Sequence, residues 1–275
     1  AGGRIHVAAY ERAGLEADAR DGAYRVLGRL ARSFPLSVGA LAALDGGVAF
    51  VASGLGPGHF RVPAHARTQA FGAHLLARVK AGDAPGTRAQ RAFIAPLLEL
   101  EAAGAAVSGQ AREALAAGQP PPPPPPVGDP PPGWELLPLA RAAFVSVHGL
   151  PGPLADLQKL LAPFPPDEAW TRAREKGTPR ARLSAAMELR KPDTLVVVRA
   201  VVERAYAVES NVGSRVLEIS AGFAPVFQAL DGRRSAEDML RAFADAGAPV
   251  AMLASIAQGL WQLVTQGVLR VGRAA

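Results

Sequence analysis

Apolar positions along this chain follow two periods, near two in one stretch and near 3.6 through most of the rest. The period-two stretch begins at Asp193. Thr194–Val201 is dominated by β-branched residues, Arg204–Glu209 alternates around Tyr206 and Val208, and Ser214–Ile219 alternates around Val216. Read with a turn at Asn211-Val212-Gly213, this predicts three short strands. Phe223, Val226, Phe227 and Leu230 then fall at i, i+3, i+4 and i+7, which predicts a helix closed by Asp231-Gly232. Ser235 with Asp238 three residues on is an N-cap with an acidic N3, opening a second helix through Met239, Leu240 and Phe243 to Gly247. Pro249 starts a third, lined by Leu253, Ile256, Leu260, Leu263 and Val264, and Val268-Leu269 returns as a strand. Three strands and three helices predict a winged-helix-like recognition domain with Phe223, Phe227, Leu230, Leu240, Phe243, Leu253, Leu260 and Leu263 at its core.

Ahead of that stretch the pattern is helical. Tyr24, Leu27 and Leu30 recur on one face with Val26, and Phe34-Pro35 ends the helix because proline disfavours αR in the residue before it. A helix over Leu36–Leu44 follows, whereas periodicity alone leaves Val48–Ser53 open between helix and strand. Ala64–Lys80 reads as a helix with Phe71, Leu75 and Val79 inward, and Phe93, Leu97, Leu98 and Leu100 as another ending near Gly104. Pro138–Val147 is a strand or a short helix. Between these regions lie seven consecutive prolines at 120–126 and three more at 130–132. Such a run is semi-rigid polyproline II, about 3.1 Å per residue and roughly 45 Å if fully stretched. It predicts a spacer, with an SH3-type ligand as the alternative. The expected fold class is therefore α+β, mostly α: a helical domain over 1–118, a proline-rich linker over 119–133 and the winged-helix-like domain over 134–275.

Composition narrows the function classes. Apolar residues make up 49% and charged residues 20% of 275, enough for substantial cores. The net charge of +6 is spread over 30 basic and 24 acidic residues, so no dominating nucleic-acid surface is implied. Without cysteine there is no disulfide, thiolate metal site or cysteine nucleophile, and a cytoplasmic location is expected. No apolar run approaching about 20 residues stands out, which predicts no membrane span. Ala1-Gly2-Gly3-Arg4 leads into no signal-type core, and the absence of an initial Met is that of a processed or partial chain.

Candidate chemistry is sparse. Gly54-Leu55-Gly56-Pro57-Gly58 lacks the Gly-Lys-Ser/Thr and the strand-to-helix frame of a phosphate loop. His65 and His74 are nine apart, off the i, i+4 face that holds a metal, so no metal or other cofactor is expected. Glu99 and Glu101, at i and i+2 of a helix, point apart, and salt-bridging or capping roles are expected of them rather than a shared substrate. With no Ser/His/Asp order or close carboxylate pair, the chain does not read as an enzyme. One local charge concentration stands out: residues 172–191 net +5, with Arg172, Arg174, Arg180 and Arg182 as a candidate basic docking patch.

An early Tyr10, the helix pattern Leu27, Leu30, Phe34, Pro35, and the segment Phe93-Ile94-Ala95-Pro96-Leu97-Leu98-Glu99-Leu100-Glu101 together resemble the bacterial HvfC/BufC-type family, formerly labelled a putative DNA-binding domain. The chain departs from the family pattern at Pro96, where an acid is usual, and at Ala102, where a bulky residue is common. The C-terminal half is similar to PqqD-like domains, which bind leader peptides by strand addition. The resemblance implies a non-catalytic partner that binds a ribosomal precursor peptide, an iron-dependent oxidative enzyme of the multinuclear non-haem type, or both.

Strand addition needs an edge with unpaired backbone groups. Val196, Val198, Arg199 and Val201, or Arg204 and Tyr206 on the next predicted strand, are the candidates for it, and the two arginines suit an acidic leader. The alternative is a DNA-binding regulator with a winged helix-turn-helix, in which Gln258 and Gln262 of the last helix would face bases. That helix carries no Arg or Lys to neutralise phosphates.

Overall fold

In the computed structural model, residues 26–55, 62, 64–162, 178–189, 194–205 and 209–272 are described. They fall into two compact units, one of residues 1–102 with 155–191 and the other of 103–154 with 192–275. The expected borders at 118 and 134 do not coincide with this division, which cuts instead through a long helix.

The first unit is helical throughout its described residues. It holds α1 over residues 26–32, α2 (Pro35–Ala42), α3 (Gly47–Ser53), α4 (Ala64–Ala81), the first half of α5 (Arg88–Ala116), nearly all of α6 (Leu154–Leu161) and α7 (Thr178–Leu189). The stretch left open at Val48–Ser53 is thus a helix. Phe34 and Phe71 are both fully buried and meet edge to face, ring centroids 5.8 Å apart. Gly72 makes that approach possible, because a Cβ there would sit 2.6 Å from Phe34 Cζ. Leu41, Leu75, Ile94, Leu97 and Leu98 are likewise buried.

Two expectations about α5 need correction. It does not end near Gly104 but runs to Ala116, with Pro96 inside it. Alanines at 102, 103, 105 and 106 offset the low helix propensity of one glycine, and Gly104 lies close to Ser214, whose Oγ would be 3.2 Å from an added Cβ. The helix is also long and apolar enough to cross a membrane by length and composition. Phe93, Ile94, Leu97 and Leu98 on it are nevertheless buried, as in the core helix of a folded protein.

The second unit carries the strands. β1 (Leu139–Arg141) pairs antiparallel with β5 (Leu269–Val271), and β2 (Val145–Leu150), β3 (Thr194–Ala205) and β4 (Glu209–Ile219) form an antiparallel sheet in the order β2-β3-β4. Where three strands were expected between 194 and 219 there are two long ones. Asn211-Val212-Gly213 lies inside β4, opposite Val201, Val202 and Glu203, and the chain reverses between Ala205 and Glu209. A lone glycine weakens a strand without breaking it, and here the alternation on both sides of it pairs in one register. The third strand of the sheet is β2, from the region whose pattern was ambiguous.

Three helices follow the sheet: α8 (Ala224–Ala229), α9 (Ala236–Asp245) and α10 (Val250–Thr265). The Ser235 cap is as expected. Ser235 Oγ accepts from the Asp238 amide, and the Asp238 carboxylate accepts from the Ser235 amide and hydroxyl. Phe227, Leu260 and Leu263 are buried, while Phe223, Leu230, Leu240 and Phe243 are half-buried against the same core. Leu253 stands outside it. Val226, Met239 and Val268, together with Leu139 of β1 and Val197 of β3, complete the cluster.

Candidate functional site

β3 has twelve residues and β2 six, and the mismatch decides which backbone groups of β3 are free. Leu195–Arg199 pairs with β2 on one side and β4 on the other, so Val196, Val198 and Arg199 are not edge positions, and Val196 and Val198 are fully buried. Sequence reasoning placed them at an edge because nothing near β3 signals that Val145–Leu150 covers it. The last bond across that side is donated by the Ala200 amide to the Phe144 carbonyl at 3.0 Å. Beyond it, Val201–Ala205 pairs with β4 alone. Amides alternate sides along an antiparallel strand. Since Ala200 N–H points toward β2, those of Val202 and Arg204 point to the same side, where no strand is present among the described residues.

A cavity of about 840 Å³ lies against this half-edge, lined by Arg199, Ala200, Val201 and Val202 of β3 and by Leu269, Arg270 and Val271 of β5. Prolines 121–126 line it too. The run expected to be a semi-rigid spacer thus lines a cavity of the sheet unit. One clasp is visible: Trp261 Nε1 donates to the Gly128 carbonyl at 3.0 Å. Trp261 also packs on Trp134, centroids 5.1 Å apart, and both rings line the cavity. Proline has no N–H, so this run cannot add to β3 as a strand; it covers the edge without pairing with it.

The polar lining is basic. Arg199 and Arg270 both line the cavity, and the Nε of each is buried without a hydrogen-bond partner. Arg199 sits directly opposite Arg215 across β3 and β4. Burial, and then the Arg215 charge, lower the Arg199 pKa from the ordinary guanidinium value. Gly267, with φ +68°, gives Arg199 its room: a Cβ there would lie 2.6 Å from Arg199 Nη1 and 3.1 Å from Pro125 Cγ. Arg270, Trp134 and Trp261 were missed from the sequence, where an arginine in a three-residue strand and two distant tryptophans carry no periodic signal.

The other candidates are dispersed. Tyr206, Arg172 and Arg174 lie outside the described residues, and of Arg180, Arg182 and Arg204 only the backbone is described, the first two on α7 and the third on β3. Gln258 and Gln262 are exposed on α10. His74 is exposed on α4, and the side chain of His65 is not described. Glu99 and Glu101 divide as expected. Glu99 pairs with Lys80 at 2.6 Å, whereas Glu101 caps α2, accepting from the amides of Leu36 at 2.7 Å and Ser37 at 3.0 Å and from the Ser37 hydroxyl. Burial pushes the Glu101 pKa up to about 7 against the opposing pull of those bonds.

Comparison of the chain with protein-family models, curated proteins and solved structures finds no match.

Proposed function

We propose that the protein is a non-catalytic peptide-binding partner, which captures an extended precursor peptide along Val201–Ala205 and presents it to an enzyme that modifies it. The observation that carries this reading is the overhang of β3 past β2, which leaves the Val202 and Arg204 amides directed to a side with no strand partner among the described residues. An incoming strand would engage such groups and place alternate side chains in the adjoining cavity. The sheet β2-β3-β4 with α8–α10 and the returning β5 fits a winged-helix-like recognition module, and the resemblance to HvfC/BufC-type proteins makes an iron-dependent oxidative enzyme the expected recipient. A DNA-reading role has less support, because α10 presents glutamines and no cation.

The test is a polarisation titration of the full chain with a fluorescein-labelled decapeptide of alternating threonine and valine. A twin methylated at every second backbone nitrogen and a promoter-length duplex serve as controls. Saturable binding of the first peptide, lost in the methylated twin, is the expected result. Duplex binding at physiological salt that depends on Gln258 and Gln262, without peptide binding, would replace this reading with the regulatory one.

A further inference from the structure

Building on the peptide-capture reading, we infer that the cavity beside the β3 overhang is a carboxylate-reading subsite, in which Arg199 and Arg270 bind the acidic side chain of an extended peptide. Three observations converge on it. Arg199 and Arg270 line the same cavity, and the Nε–H of each is buried without an acceptor. An unmet buried donor is a cost the fold carries, and an anion drawn from the cavity to the guanidinium offsets it. Secondly, among the described residues no Asp or Glu lines the cavity, and the prolines over it offer carbonyls that do not reach either Nε. Thirdly, Arg199 has a second cation, Arg215, directly across the strand pair. Like charges facing each other destabilise a sheet, and an anion placed at Arg199 relieves that repulsion.

The ligand class follows from geometry and surroundings. A guanidinium presents a planar fork of donors matched to a carboxylate. The rest of the cavity is apolar, with Trp134 and Trp261 on its wall. That combination favours an acid carried on an extended, otherwise uncharged segment over a highly charged, strongly hydrated polyanion. Arg199 and Ala200 are the residues at which β3 passes from double to single pairing, so an acid read there would also fix the register of the added strand.

The experiment uses the full chain and two pairs of probes. The first pair is an alternating threonine–valine decapeptide with a central glutamate and its glutamine twin. The second is phenylacetate and phenylacetamide, followed by tryptophan fluorescence. Wild type is compared with Arg199→Gln and Arg270→Gln, with Arg199→Lys as a charge-retaining variant and a melting curve to confirm folding of each. The expected result is that the glutamate peptide binds about tenfold more tightly than its twin. That ratio should fall to near one in both Gln variants and be partly kept in Arg199→Lys. If both peptides bind equally in every protein and phenylacetate behaves like phenylacetamide, the subsite is overturned while peptide capture stands. If neither peptide binds but phenylacetate alone perturbs the fluorescence, and does so only when both arginines are present, the carboxylate subsite stands and strand addition fails. Absence of any response to all four probes would overturn both.

Discussion

Two buried polar sites, one in each unit, are treated in opposite ways. At Glu101 in the helical unit, three donors from the first turn of α2 converge on a single carboxylate, and every one is met. At Arg199 and Arg270 in the sheet unit, two residues that line a cavity each hold a buried donor, and neither donor is met. A satisfied buried group fixes a fold; an unsatisfied one beside open space is a cost the fold carries unless something binds there. The contrast separates a buried group whose hydrogen bonds hold the fold from two whose donors are left unmet.

The largest effect should come from the apolar frame that holds the satisfied site. Phe34→Ala removes a fully buried ring that packs on Phe71 at the start of α2, and should cost about 3–5 kcal/mol in a denaturant titration. A loss below about 1 kcal/mol would show that α2 is not anchored as described. Glu101→Ala comes next. It leaves the donors of Leu36 and Ser37 without their acceptor and should cost about 1–3 kcal/mol.

Glu101 also sets a pH dependence whose sign is fixed. Its folded pKa of about 7 lies above the ordinary carboxyl value of 4.5. Between those values the folded chain holds the proton that the unfolded chain has lost, so this group's contribution falls as pH rises through the window and levels off above it. In Glu101→Gln that falling component should be missing, so the wild-type-minus-variant difference should itself fall as pH rises through the window. An identical pH profile in the two proteins would place the carboxylate in solvent.

At the unmet site the sign of the stability change should reverse. Arg199→Met keeps an unbranched apolar stem but removes both the orphaned Nε and the repulsion with Arg215, and should stabilise the chain by about 1 kcal/mol while abolishing capture of acidic peptides. A destabilisation of similar size would make Arg199 a structural residue like Glu101. The smallest effect is expected at the clasp. Trp261→Phe keeps an aromatic ring against Trp134 but loses the exposed bond to Gly128, for about 0.5 kcal/mol. If the proline run competes with peptide for the edge, the variant should bind peptide faster in stopped flow; an unchanged association rate would mean that the run does not gate access.

Much of the local structure was legible in the sequence, for local reasons. The Ser235–Asp238 cap, the break at Phe34-Pro35 between α1 and α2 and the spacing of Leu260 and Leu263 are governed by neighbours within a few residues, and each appears as expected. A salt-bridging or capping role for Glu101 was also legible, though its pairing with the start of α2, 64 residues away at Ser37, was not. The candidate edge was half right. Its strand is the expected one, but the free segment is set by β2, which joins β3 across a stretch of chain that no periodicity links to it. The cavity was not legible at all: it depends on prolines, two tryptophans and Arg270, brought together by tertiary structure.

The central claim, that a peptide adds to the overhanging half of β3, is tested most directly by amide hydrogen exchange of the full chain with and without the glutamate decapeptide. Exchange at Val202 and Arg204 should slow by at least about tenfold on binding, while Val196 and Val198, already flanked by strands on both sides, stay unchanged. Unaltered exchange at Val202 and Arg204 under saturating peptide would contradict it.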